Sequence, residues 1–292
     1  MSYLIDERSI KYFIEHGGKF LFTDTNYKLY TKEHLVNSIH FPSAALRTAS
    51  FVQSNVCHSN GIIPVQYMED QCIIRMFVNC GLSKNDHICV YGGQDEDVYA
   101  CIFVLYTLYK FGYNHVYYLN CDWTKLPKKY MTQEFPQWRY VRETKFGKKN
   151  MSFTPDEVHH LLQQGKHKFI DVRSHSDHIG KTGVWMVKGH IPGAYNVFWK
   201  ELFVQVKNEK NEMIPSQKFI SMNELKKKFS AFNQHDKICV YCNTGSEGSI
   251  GIFVLKLLFG WSNVRLFEKS FGSYQYLHQI CPELYPIVKD KA

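Results

Sequence analysis

The chain has 292 residues, with 35 Lys and Arg against 27 Asp and Glu, so its formal net charge is +8. A hydrophobic fraction of 45% with 15% aromatics can fill a core and excludes a disordered chain, while 9 Pro and 18 Gly exclude a collagenous or low-complexity one. The length suggests two domains, and no uncharged apolar run approaches the roughly 20 residues of a membrane span.

The N-terminal stretch MSYLIDERSIKYF carries Asp6 and Glu7 where the apolar part of a secretory signal would lie. Lys291 and Ala292 form no simple address tag. A cytoplasmic protein is expected, with mitochondria as the alternative. Nine Cys in such a chain should be mostly reduced thiols, and their odd count argues against a complete disulfide framework. The basic clusters at 125–129, 139–149 and 226–228 contain no nucleic-acid motif and read as solvated surface. No nucleic acid and no membrane is expected as a partner, and a basic balance suits small anionic substrates.

Residues 19–23 form a short apolar run before Asp24, as a buried strand does. A His-Phe-Pro-Ser-Ala turn follows at 40–44. Residues 88–91 read as a strand that passes through a short loop, Gly92-Gly-Gln-Asp-Glu-Asp97, into a helix over 98–109 with apolar residues on most faces. Another strand is expected at 116–119. The polar stretch RETKFGKKN then marks a linker at 140–151, dividing a first domain, 1–139, from a second, 152–292. Thr154 and Pro155 read as the N-cap and first turn of a helix. Residues 168–172 and 238–241 read as strands, 250–259 as an apolar helix and 264–267 as a last strand.

The second half repeats the first. Asp86-His-Ile-Cys-Val-Tyr-Gly92 and Asp236-Lys-Ile-Cys-Val-Tyr-Cys242 agree at five of seven positions, 150 residues apart. The segments at 102–105 and 252–255, and the turns at 40–44 and 190–194, keep that offset, and Phe22-Thr-Asp24 matches Phe169-Ile-Asp171 at 147. The period is too long for a solenoid, so each unit should own a core. Strands alternating with helices imply α/β domains with mainly parallel sheets, whose active sites lie at the carboxyl ends of strands.

There the repeats diverge. After its strand the first has Gly92, whereas the second has Cys242-Asn-Thr-Gly-Ser-Glu-Gly248 opening a helix. Backbone N–H groups curling around the Cys242 sulfur would favour thiolate over thiol and make a nucleophile. Cys239 and Cys242 also form a CxxC. Cys89 occupies the place of Cys239 in the repeat without a partner, so Cys239 reads as a core residue and not as half of a redox or metal pair.

These motifs resemble the rhodanese (sulfurtransferase) superfamily, and specifically its two-domain members, along essentially the whole chain. The resemblance rests on Phe169-Ile-Asp-Val-Arg173, Gly189-His-Ile-Pro-Gly-Ala-Tyr-Asn196 and Val240-Tyr-Cys242. It implies two tandem rhodanese-like domains, with a non-catalytic first domain and Cys242 as a catalytic nucleophile that becomes a persulfide. It implies a small anionic sulfur donor and, as acceptor, a thiol, a thioredoxin or cyanide. The N–H groups of Asn243, Thr244, Gly245, Ser246, Glu247 and Gly248 would stabilise the charged sulfur, and Arg173 would lie near the donor anion.

Asn243-Thr244 is closer to the loop of mercaptopyruvate-preferring members than of thiosulfate-preferring ones, and Thr244 matches their hydroxyl. Asp177 replaces a second expected arginine, Glu247 adds a negative charge at the mouth of the loop, and Lys269-Ser-Phe271 stands for the usual Gly-Ser-Trp. His40 matches a histidine of the mercaptopyruvate type, beside its reading as a turn residue. The alternative to an enzyme is a non-catalytic rhodanese-like binding or regulatory protein. No cofactor and no metal is implied, since there is no P-loop, no GxGxxG after a strand and no HExxH.

Overall fold

The computed structural model describes residues 3–53, 60–92, 98–136 and 147–290. Most of the expected loop at 93–97 and most of the expected linker lie outside them. Each repeat builds a five-stranded sheet with all neighbours parallel. In the first the order is Leu4–Ile5, Val116–Leu119, Ile88–Tyr91, Lys19–Phe22, Ser38–His40. In the second it is Ser152–Phe153, Val264–Phe267, Ile238–Tyr241, Lys168–Asp171, Ala194–Asn196. The two sheets thus share one strand order as well as one sequence pattern.

The strand boundaries follow from burial. Ile-Cys-Val-Tyr is fully buried at both 88–91 and 238–241. A parallel sheet is covered on both faces by its crossover helices, so its inner strands are continuous apolar runs. Cys89 packs with Phe20, Phe22 and Tyr91 in one core, and Cys239 with Phe153, Phe169 and Tyr241 in the other. The strand cysteine is a core residue in both repeats.

The helix Pro155–Gln164 opens with the expected cap: Glu157 N donates to Thr154 Oγ1 at 3.2 Å, and Thr154 N donates to the Glu157 carboxylate at 2.7 Å. Val98–Lys110 is buried along nearly its whole length. The helix expected at 250–259 begins two residues earlier, as Gly248–Ile252, and widens into a π-helix over Phe253–Leu258. Among the described residues no helix is long and apolar enough to cross a membrane.

The compact units are not the simple division expected at 140–151. Unit 1 comprises Met1–Leu46, Met68–Asn150 and Phe203–Ile220; unit 2 comprises Arg47–Tyr67, Met151–Leu202 and Ser221–Ala292. Each takes an antiparallel hairpin from the other half of the sequence. In unit 1 the hairpin Phe203–Lys207/Met213–Phe219 is fixed by Tyr118 Oη donating to Gln217 O at 2.7 Å and Phe219 N donating to Asn120 Oδ1 at 2.8 Å. In unit 2 the borrowed hairpin is Arg47–Gln53/Asn60–Tyr67. The close of the expected linker is tied to unit 1, where Lys149 N donates to Lys110 O at 2.8 Å.

Candidate active site

Cys242 follows the middle strand of the second sheet, Ile238–Tyr241. Cys239 points into the core; three residues on, Cys242 points into the turn that follows the strand. Its side chain is fully buried. The sulfur accepts a hydrogen bond from Gly245 N at 3.0 Å. The start of the helix Ser270–Ile280 clamps the turn: Phe271 N donates to Cys242 O at 3.0 Å, and Gly272 N donates to Asn243 O at 2.9 Å. Cys242 N donates to Ser270 Oγ at 3.2 Å, and the same hydroxyl lies 3.8 Å from the sulfur. Ser270 sits at φ +49°, a left-handed conformation uncommon outside glycine.

Two glycines make this curl sterically feasible. Gly245 has φ +96°, and a Cβ there would stand 2.2 Å from Glu268 O. At Gly248 a Cβ would meet Leu266 Cδ1 at 2.5 Å, so a larger residue there requires that side chain to shift.

The electrostatics differ from the sequence expectation. Burial pushes the Cys242 thiol well above its ordinary range, and the neighbouring Glu247 carboxylate pushes it further. The N–H groups of Gly248 and Gly245 act in the opposite sense and do not outweigh them. Burial and the Glu247 charge both favour the thiol over the thiolate, opposite in direction to the pull expected from the loop N–H groups. A cradle of two N–H groups is too weak against complete desolvation plus a like charge.

The remaining loop residues are held by partners the sequence did not point to. Asn243 Oδ1 accepts from Trp185 Nε1 at 3.0 Å. Arg47, on the borrowed hairpin, donates to Thr244 O at 3.0 Å and to the hydroxyl of Ser246, and its guanidinium lies 5.2 Å from the centre of the Tyr67 ring. Arg47 is nearly 200 positions from this loop and no local pattern marks it. Trp185 lies in a stretch without helical or strand period, and Ser270 was visible only as the odd Lys269-Ser-Phe271. Lys269 is half-buried, and burial lowers its pKa.

Arg173 is taken up by its own strand exit. Its guanidinium is held by both oxygens of Asp171, with Nη2 at 2.6 Å, and donates to Gly189 O at 2.7 Å; it lies 3.9 Å from the centre of the Phe271 ring and is 3% exposed. The Asp171 charge draws the arginine inward, and it locks the strand exit. Asp177 instead accepts from Thr182 Oγ1 at 2.6 Å. His40 lies in unit 1, where Nε2 donates to Asp24 O at 2.8 Å and the ring packs on Tyr30 and Tyr27.

His178, His190 and Asp290 bring three metal-type ligand atoms within 4.8 Å of one another. The two imidazoles are stacked, 3.8 Å apart and 15° from parallel. Their Nε2 lone pairs therefore run side by side instead of converging, which suits one ion poorly. His178 Nδ1 donates to Asp171 and His190 Nδ1 to His178 O, so the pair extends the Asp171–Arg173 lock.

Because Cys242 is fully buried, a reagent reaches it only when the turn opens. Arg47→Ala removes two hydrogen bonds that keep it closed. Iodoacetamide labelling of Cys242 in the folded protein is expected to speed up about tenfold, from a loss of roughly 1.4 kcal/mol in closing the turn. An unchanged labelling rate would mean that Arg47 does not hold the loop.

Comparison with known proteins agrees with this architecture. Residues 154–276 match the family model of the rhodanese-like domain. A putative thiosulfate sulfurtransferase of Synechococcus elongatus is 29% identical over 263 residues, 88% of this chain and 77% of the relative. The thiosulfate sulfurtransferase of Corynebacterium glutamicum is 27% identical over 222 residues, 71% and 69% of the two chains. The structure of SseA from Escherichia coli, described as a 3-mercaptopyruvate sulfotransferase with the rhodanese fold, superposes with a TM-score of 0.70 over 93% of this chain and 99% of its own, at 15% identity. Most of the second sheet lies in the segment matched to the rhodanese-like domain, and the chain as a whole has the fold of the SseA structure.

Proposed function

We propose that this rhodanese-like protein is a sulfurtransferase that carries sulfur as a persulfide on Cys242. The observation that carries the reading is the position of Cys242 at the carboxyl end of the middle strand, its sulfur accepting the Gly245 N–H. The Cys242 sulfur attacks the transferable sulfur of a small anionic donor and keeps it, as the bond from that sulfur to the rest of the donor breaks and the remainder (pyruvate or sulfite) departs with the bonding pair. A thiol, a reduced thioredoxin or cyanide then removes that sulfur, in the ping-pong pattern of covalent catalysis. The inward-curled N–H groups suit a sulfur that becomes negative only after it is extended by one atom. The name of the S. elongatus relative supports the reaction class. The uncharged Asn243-Thr244 supports 3-mercaptopyruvate in preference to thiosulfate, against the names of both curated relatives.

A second reading, a binding or regulatory protein without turnover, is favoured by the complete burial of Cys242, which disfavours its thiolate. Intact-mass measurement after exposure to each donor separates the two. The sulfurtransferase is expected to gain one sulfur from 3-mercaptopyruvate, removed by dithiothreitol and mapped to the peptide containing Cys242. No gain from either donor would overturn it. Gain from thiosulfate alone would keep the enzyme and overturn the donor.

A further inference from the structure

The loop carries an acidic group where a thiolate site needs none. Glu247 immediately precedes the helix Gly248–Ile252, whose first residue stands against the Cys242 sulfur (a Cβ on Gly248 would lie 3.7 Å from Sγ), and its Oε2 is buried with no hydrogen-bond partner among the described residues. A buried carboxylate oxygen left without a donor is costly, and a proton released from the Cys242 sulfur as it reacts would satisfy it. The charged groups on the surrounding elements are Arg47 from the borrowed hairpin, Glu268 and Lys269 from the turn after Val264–Phe267, and Arg173 at the exit of Lys168–Asp171. Arg47 holds Thr244 and Ser246, and Arg173 holds Asp171.

We propose that Glu247 is the general base that takes the Cys242 proton during attack and returns it to the leaving group, so that the site selects donors whose leaving group must be protonated. This rests on the persulfide chemistry above. With 3-mercaptopyruvate, the Sγ–S bond forms as the S–C3 bond breaks, and the bonding electron pair passes to C3. The proton that left Sγ for Glu247 then moves to C3. Cys242 thiol and the mercaptopyruvate monoanion give Cys242 persulfide and pyruvate, with the two sulfurs oxidised, the carbon reduced and no hydrogen unaccounted for. Thiosulfate, by contrast, is a dianion that releases sulfite, which departs without needing that proton. A carboxylate against the sulfur repels the dianion and offers its leaving group nothing.

Glu247→Gln keeps the shape and removes the base, and two measurements on the full chain test it. The first needs no turnover: the pH midpoint of Cys242 alkylation by iodoacetamide. It is expected to fall by at least one unit in E247Q, since a like charge has gone; an unmoved midpoint overturns the proposal. The second compares persulfide formation from the two donors. E247Q is expected to lose at least 100-fold with 3-mercaptopyruvate. Its rate with thiosulfate, which also needs the Cys242 proton removed but no proton on the departing sulfite, is expected to fall at least tenfold less, and an equal loss with both donors overturns the donor selection. A 3-mercaptopyruvate rate within threefold of the parent overturns the assignment. A parent that takes sulfur from neither donor overturns the function above, and proton delivery with it, whatever the alkylation curve shows.

Discussion

Gly245→Ala is expected to abolish most of the reactivity of Cys242, by 100-fold or more, and to destabilise the second unit by roughly 2–5 kcal/mol. Two costs combine. A residue with a Cβ resists φ +96°, worth about 1–2 kcal/mol. The added methyl would also stand 2.2 Å from Glu268 O, a backbone atom that cannot swing aside, and overpacking of this kind costs about 1–3 kcal/mol. Relief requires the turn to move away from the strand end, which removes the Gly245 N–H from the sulfur. Displacement of a reacting group by about 1 Å commonly costs about 100-fold. Persulfide formation and the thermal midpoint should therefore both fall. Full activity in G245A would show that the curl around the sulfur is not required.

Asp171→Ala is expected to cost roughly 3–5 kcal/mol of stability, because it strands a buried guanidinium without its counter-charge. Asp171 accepts from Arg173 Nε and Nη2, from Arg173 N and from His178 Nδ1, and is itself fully buried. Burial alone would raise its pKa, but the Arg173 charge and these hydrogen bonds hold it below the ordinary 3.8. A depressed folded-state pKa stabilises above 3.8, and that stability is lost as pH falls through the lower folded value. Thermal melts should therefore show a large gap between parent and D171A at pH 7 that narrows on strong acidification. A gap of equal size at all pH values would mean that the cost is a packing defect and not a lost charge.

These variants mark what the sequence makes legible and what it does not. The inner strands are visible because a strand covered on both faces must be apolar throughout, and Ile88–Tyr91 and Ile238–Tyr241 announce this twice. The cap at Thr154 is visible because its chemistry is local. The two- and three-residue strands Leu4–Ile5 and Ala194–Asn196 are too short to carry a period, and they exist through their neighbours' hydrogen bonds. Cys242 stands out by its position after a strand, but the state of its proton depends on burial and on where the Glu247 side chain turns. Arg173 shows the same limit. Its neighbour two residues back captures it, and spacing alone does not say whether a charge points to a ligand or to its own strand.

The borrowed hairpins set an order of events during synthesis. The first unit uses Phe203–Ile220, so a ribosome that has completed residue 150 has not yet released all of it. The second unit uses Arg47–Tyr67, which emerges early and must wait for a sheet whose first strand begins at Ser152. Neither half can finish before the other has begun, and a gene cut at the sequence repeat would yield two nascent chains that each lack a piece and carry a spare one. A chain whose second half repeats its first thus has halves that mature together and not in succession.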